Sequence, residues 1–178
     1  MPIQPTPFNP DALIDRLARY AHTLPAIVRN FAPADTQWKP DASSWSVLQI
    51  ICHLADEETE DFPVRVLSTL DDPSKPWPPI DPEGWAISSD YQSKDLKAEL
   101  ARFVELRLFN IDKLTALKDP NWSSTHNHPK LGPMIASDLL AAWSAHDALH
   151  LRQLTKRLHQ LANRDAGPTS TTRYAGDW

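Results

Sequence analysis

Glycine is scarce in this 178-residue chain, with four in all, and cysteine occurs once, at Cys52. One thiol excludes an internal disulfide framework and suits a reducing compartment. No segment approaches the roughly 18 consecutive apolar residues that span a bilayer. The start, Met1-Pro2-Ile3-Gln4-Pro5, has neither the basic residues nor the apolar run of a secretory signal. A cytoplasmic protein without a membrane partner is the expectation. Cations are in the minority, 18 Lys and Arg against 23 Asp and Glu, giving a formal net charge of −5. The densest basic cluster, Arg152, Lys156 and Arg157, falls near the end of an expected helix, where cations complement the dipole. A nucleic-acid partner, which calls for a basic face, is not expected. Strand-like alternation and hairpin dipeptides such as Asn-Gly are missing as well.

What the chain does have is proline, at 17 positions, clustered at Pro2 to Pro10, near Pro33 and Pro40, at Pro73 to Pro82 and at Pro120 to Pro133. Proline does not continue a helix interior, so these clusters read as connectors between four helical stretches. The first is expected over 9–31, capped by Asn9 with Pro10 in the first turn, its stripe running Leu13, Leu17, Tyr20, Leu24, Val28 and Phe31, with a kink at Pro25. The second, 46–70, opens on a Ser46/Gln49 capping box with Trp45 stapled onto Ile50, and should bend at Pro63. The third covers 93–117 and the fourth 135–161, with a tail over 162–178. Four amphipathic helices bury their stripes most simply against each other, as one all-α four-helix bundle with a long link over 71–92.

His146 and His150 stand i, i+4 on the fourth helix, in line with Leu139, Trp143 and Leu154, so both rings point inward one turn apart and can share a metal ion. His53, three residues after Ile50, faces inward from the second helix. Bundles build metal sites from such facing side chains, and three imidazoles with an open position form a site of catalytic type. The bland alternative, core histidines bonded to polar neighbours, weakens as the number of rings to satisfy grows. Cys52 adjoins His53, but helical neighbours point about 100° apart, which leaves Cys52 an inert buried thiol. A zinc-protease helix is excluded: Asp147 stands where glutamate is needed, and the further Gly and His are missing.

The set Trp45-Ser46-Val47, His53-Leu54-Ala55-Asp56, Leu131-Gly132 and His146-Asp147-x-x-His150-x-x-Gln153 resembles the DinB/YfiT-like metalloenzyme superfamily, from the first helix through the fourth. The resemblance implies an up-down-down-up bundle forming a single domain over 1–178, and a divalent ion, zinc or nickel foremost, held by His53, His146 and His150. It implies a homodimer, and an enzyme related to transferases that join bacillithiol or another low-molecular-weight thiol to small electrophiles, or to a mycothiol-dependent isomerase. Metal-dependent hydrolysis of a small molecule and a non-enzymatic metal-binding or ligand-binding stress-response bundle are the alternatives. The chain departs from the family in one respect: Ile135 stands where relatives cap the fourth helix with Thr or Ser.

Glu57, i+4 from His53, is the candidate proton-handling group, with a solvated carboxylate as its alternative. Asp147 is expected to bond a partner ring or balance surface charge, and Gln153 to brace a helix contact. His126 and His128 are expected in an exposed loop, and Trp85 is a candidate for a pocket mouth. The aromatic end, Arg173 to Trp178, is expected to pack on the bundle or on a second subunit.

Overall fold

A computed structural model describes residues 6–176. Its helices are α1 (Pro10–Val28), α2 (Val47–Glu60), α3 (Phe62–Asp71), α4 (Pro82–Ser88), α5 (Leu96–Thr115) and α6 (Ala136–Ala166), with a hairpin of β1 (Thr125–His128) and β2 (Gly132–Ile135) before α6. Asn9 caps α1 by accepting from the Ala12 N–H at 3.0 Å, and α1 runs on through Pro25. Ser46 and Gln49 close the expected capping box on α2. Asp95 caps α5, accepting from the Ala98 N–H at 2.8 Å. Ile135 makes no side-chain cap, yet α6 starts next to it and extends five residues beyond the expected 161.

The expected second helix is two helices. Pro63 lacks the N–H that would continue the ladder. The break falls at Asp61, at φ −124° and ψ −97°, and Pro63 then sits in the first turn of α3. The hairpin, absent from the sequence reading, pairs Thr125 with Ile135 and His128 with Gly132. Gly132, at φ +76°, takes the left-handed conformation that closes its short loop. His126 and His128 therefore lie on a strand rather than in an exposed loop, and His126 is buried.

Two core clusters fix the directions of the helices. At one end Ile14, Val66, Leu114 and Leu139 meet. At the other, Val28, Val47 and Leu161 meet, with Leu96 and Leu100 against them. Consequently α1 and α6 point one way and α2–α3 and α5 the other, an up-down-down-up four-helix bundle in which α2 and α5 pack as parallel neighbours. Parallel neighbours need a connection that returns the length of the bundle, and residues 72–95, with α4 inside them, provide it. Each fully buried Leu or Phe in these clusters contributes roughly 1.5–3 kcal/mol. Among the described residues no helix is long and apolar enough to cross a membrane. At the tail, Tyr174 is exposed rather than packed on the bundle, and Trp178 lies outside the described residues.

Candidate metal centre

His53 reaches the α2–α6 seam because the Ser46 cap sets the phase of α2, which buries Ile50, Ile51, Leu54 and the His53 ring on the inner side. Trp45 lies against His53 at 4.9 Å between ring centroids, and Phe62 lies against His146 at 4.9 Å. The two aromatic rings wall the site along the bundle axis. His146 and His150 face each other from successive turns of α6, Nε2 to Nε2 at 3.1 Å. One ring nitrogen from each of His53, His146 and His150 lies within 4.8 Å of the others.

Metal–nitrogen bonds of about 2.0–2.1 Å put tetrahedral donors about 3.3 Å apart, so the α6 pair already has ligand spacing and His53 needs only a small inward shift. Burial holds all three rings in the neutral form that a ligand requires. It pushes His53 and His146 down to about 3, helped by the neighbouring rings, and lowers His150 against the opposing effect of its hydrogen bond to Gln153. The second nitrogens fit as well. His150 Nδ1 is 2.8 Å from Gln153 Oε1, a bond that puts the proton on Nδ1 and leaves Nε2 as a donor atom. His53 Nδ1 is buried without a hydrogen-bond partner, 3.6 Å from Glu57 Oε1. Among the described residues no fourth His, Cys, Asp or Glu joins the cluster, which offers three protein ligands to an ion. These residues fit a divalent ion.

Glu57 is 4% exposed, which rules out the solvated alternative. Burial raises its carboxyl to about 8, reinforced by the charge of Asp61 and a hydrogen bond to it. It therefore holds a proton near neutral pH, a few ångströms from the ring of His53. Asp61 in turn pairs with Arg65, continuing the ladder His53, Glu57, Asp61, Arg65 at i, i+4 steps.

Asp147 bonds neither a histidine nor solvent. It accepts from Arg107 Nη1 at 2.7 Å and Nη2 at 2.9 Å. Arg107 also donates to Glu58 Oε1, at 2.7 Å from Nη2, and to the Leu17 carbonyl at 3.2 Å, while Trp143 Nε1 donates to Glu58 at 3.2 Å. Burial lifts Asp147 to about 6 against the pull of Arg107, leaving it anionic at neutral pH. The network joins α1, α2, α5 and α6 beside the site. The sequence carried a sign of it: Arg107 and Asn110 share the stripe of Phe103 and Leu114.

The remaining candidates lie elsewhere. Cys52 faces Tyr91 on the opposite side of α2, and burial pushes its thiol up to about 12, so it is inert. His126 stacks on Trp77 at 4.0 Å, with Nδ1 2.9 Å from the Pro73 carbonyl, and His128 Nδ1 accepts from the Lys130 and Leu131 N–H groups. Neither joins the histidine cluster. Trp85 packs with Leu48, Cys52 and Tyr91.

The DinB superfamily model matches residues 16–154, from α1 through both α6 histidines. YfiT from Bacillus subtilis, described as a probable metal-dependent hydrolase with an unusual four-helix bundle topology, superposes with a TM-score of 0.78 at 20% identity, covering 89% of this chain and 91% of that one. TT2238, a four-helix bundle protein, superposes at 0.59 with 21% identity, covering 83% of this chain and 99% of that one. No curated protein matches the sequence significantly. The family match spans most of the chain, which belongs to the DinB superfamily.

Proposed function

We propose that this DinB-superfamily protein is a metal-dependent enzyme in which His53, His146 and His150 hold a divalent ion, zinc or nickel, and activate a nucleophile against a small electrophilic substrate. The convergence of three neutral imidazoles, with no fourth protein ligand among the described residues, carries this reading. When bound, a divalent ion lowers the pKa of a ligated water or thiol and polarises the substrate. Gln153 orients His150 through Nδ1. Glu57 lies 3.6 Å from Nδ1 of His53, and its raised, protonated carboxyl can give a proton to a leaving group. Trp45 and Phe62 keep water from the flanks of the ring cluster.

Hydrolysis is the reading we favour, supported by the description of YfiT and by the preserved fold. Transfer of a low-molecular-weight thiol uses the same site with sulfur in place of water, and what the sequence resemblance implies makes it the second reading. The test is a panel of activated esters, amides and epoxides given to zinc- or nickel-loaded protein with and without added thiol. Turnover without thiol supports hydrolysis, and turnover only with thiol supports transfer. Glu57→Gln should keep the metal but lose about 100-fold or more in kcat. Metal-loaded protein inactive on every substrate would count against both readings.

A further inference from the structure

Beyond His150, α6 carries Arg152, Lys156 and Arg157. An open pocket of about 630 Å³ reaches His150 and is lined by Leu149, His150, Arg152, Gln153 and Lys156, with no acidic side chain among them. Side chains on a helix lean toward its N-terminus. Lys156 therefore leans back over the turn of Arg152 and Gln153; Gln153 reaches His150, while Arg152 leans over Leu149 on the far side of the pocket. Arg152 and Lys156 are exposed, and neither forms an ion pair among the described residues. Arg157 is buried just behind them, where Nε donates to the carbonyl of Trp45, the residue that covers His53, at 2.9 Å, and Nη1 donates to Gln160. The charge of Asp41 acts on it, against the effect of burial. In a chain of net charge −5, two cations without an ion-pair partner among the described residues line a pocket that reaches His150.

We infer that this ledge is a specificity site: it holds an anionic group, a carboxylate or phosphate, of the small-molecule substrate within about two helical turns of His150. The inference rests on the metal-centre reading and adds the substrate class. An anion there replaces the missing partners of Arg152 and Lys156, and the guanidinium fork of Arg152 suits two oxygens. Arg157 holds the wall and adds to the field without needing contact. The helical rise of about 1.5 Å per residue places the binding groups about 3–9 Å along α6 from His150, so a compact molecule reaches both the ledge and the metal.

The test uses protein loaded with cobalt and two thiol probes that differ in charge, 2-mercaptoethanol and 2-mercaptoethanesulfonate, followed through the thiolate-to-cobalt absorption band. Two exposed cations should favour the sulfonate by about five-fold at low salt. That preference should fall to within about two-fold in the Arg152→Gln/Lys156→Gln variant, with mercaptoethanol binding unchanged. Equal affinities in the wild type, a preference that survives the double variant, or a cobalt spectrum that neither thiol alters would overturn the ledge while cobalt stoichiometry leaves the metal centre standing. Failure to bind cobalt would remove both, and the metal content of the same samples tells the two failures apart.

Discussion

Glu57 and His53 depart from their ordinary acidities in opposite directions for one reason: both are buried, and each is held in its neutral form. The folded chain keeps a proton on Glu57 up to about pH 8, whereas the unfolded chain releases it near 4.5. The stabilising effect of that proton is complete below 4.5 and is lost as pH rises toward 8. In metal-free protein, the stability difference between wild type and Glu57→Gln should move in favour of the variant over that range, measured by urea unfolding. A difference that stays flat with pH would contradict the burial of Glu57. His53 and His146 contribute with the other sign: their pKa values are depressed, so their stability is present above 6.5 and is lost as pH falls toward 3. Gln153 acts only through the His150 ring, so Gln153→Ala should weaken zinc affinity by about ten-fold while the site still fills at excess metal. Unchanged affinity in a competitive chelator titration would remove its orienting role. At this scale the three histidines were legible because helical spacing alone puts them inward. The role of Asp147 was not, because its partner Arg107 is 40 residues away in sequence.

The starts of α1, α2, α5 and α6 depend on local chemistry and were legible to within three residues. The Ser46/Gln49 box shows why, since both halves of the signal lie within one turn. Ser46 also donates to Gln92 Oε1 at 3.0 Å, tying the start of α2 to the crossover segment. Ser46→Ala should lower stability by about 1 kcal/mol or more in denaturant unfolding; a change within a few tenths would deny the cap its role. The division of α2 from α3 was only half legible. Pro63 announces a disruption, but the break falls two residues earlier, at Asp61, which pairs with Arg65 of α3. The hairpin at 125–135 escaped notice because its closing glycine follows a three-residue loop instead of forming an Asn-Gly pair, and Pro133 sits inside its second strand.

The bundle holds its parts in register through polar contacts as well as apolar ones. Arg107, 1% exposed, bonds α1 at Leu17, α2 at Glu58 and α6 at Asp147, which is next to His146. Replacing it by methionine strands two buried carboxyl groups. Arg107→Met should cost about 3–5 kcal/mol in urea unfolding, and a loss under about 1 kcal/mol would mean that the network is dispensable. The up-down-down-up order was implied by the family resemblance, and its physical reason is the parallel α2–α5 pair that the long link serves. Periodicity alone gives four helices without their directions, because direction depends on which ends meet.

The proposed function stands on one divalent ion held by His53, His146 and His150. The most direct test is metal content by mass spectrometry on protein purified without a nickel column, for the wild type and His150→Ala side by side. About one ion per chain is expected in the wild type, as purified or on addition of zinc or nickel, with its loss in a variant that retains helical circular dichroism. Wild-type protein that arrives without metal and takes up neither ion would contradict the centre and leave three histidines as packing groups of a helical bundle.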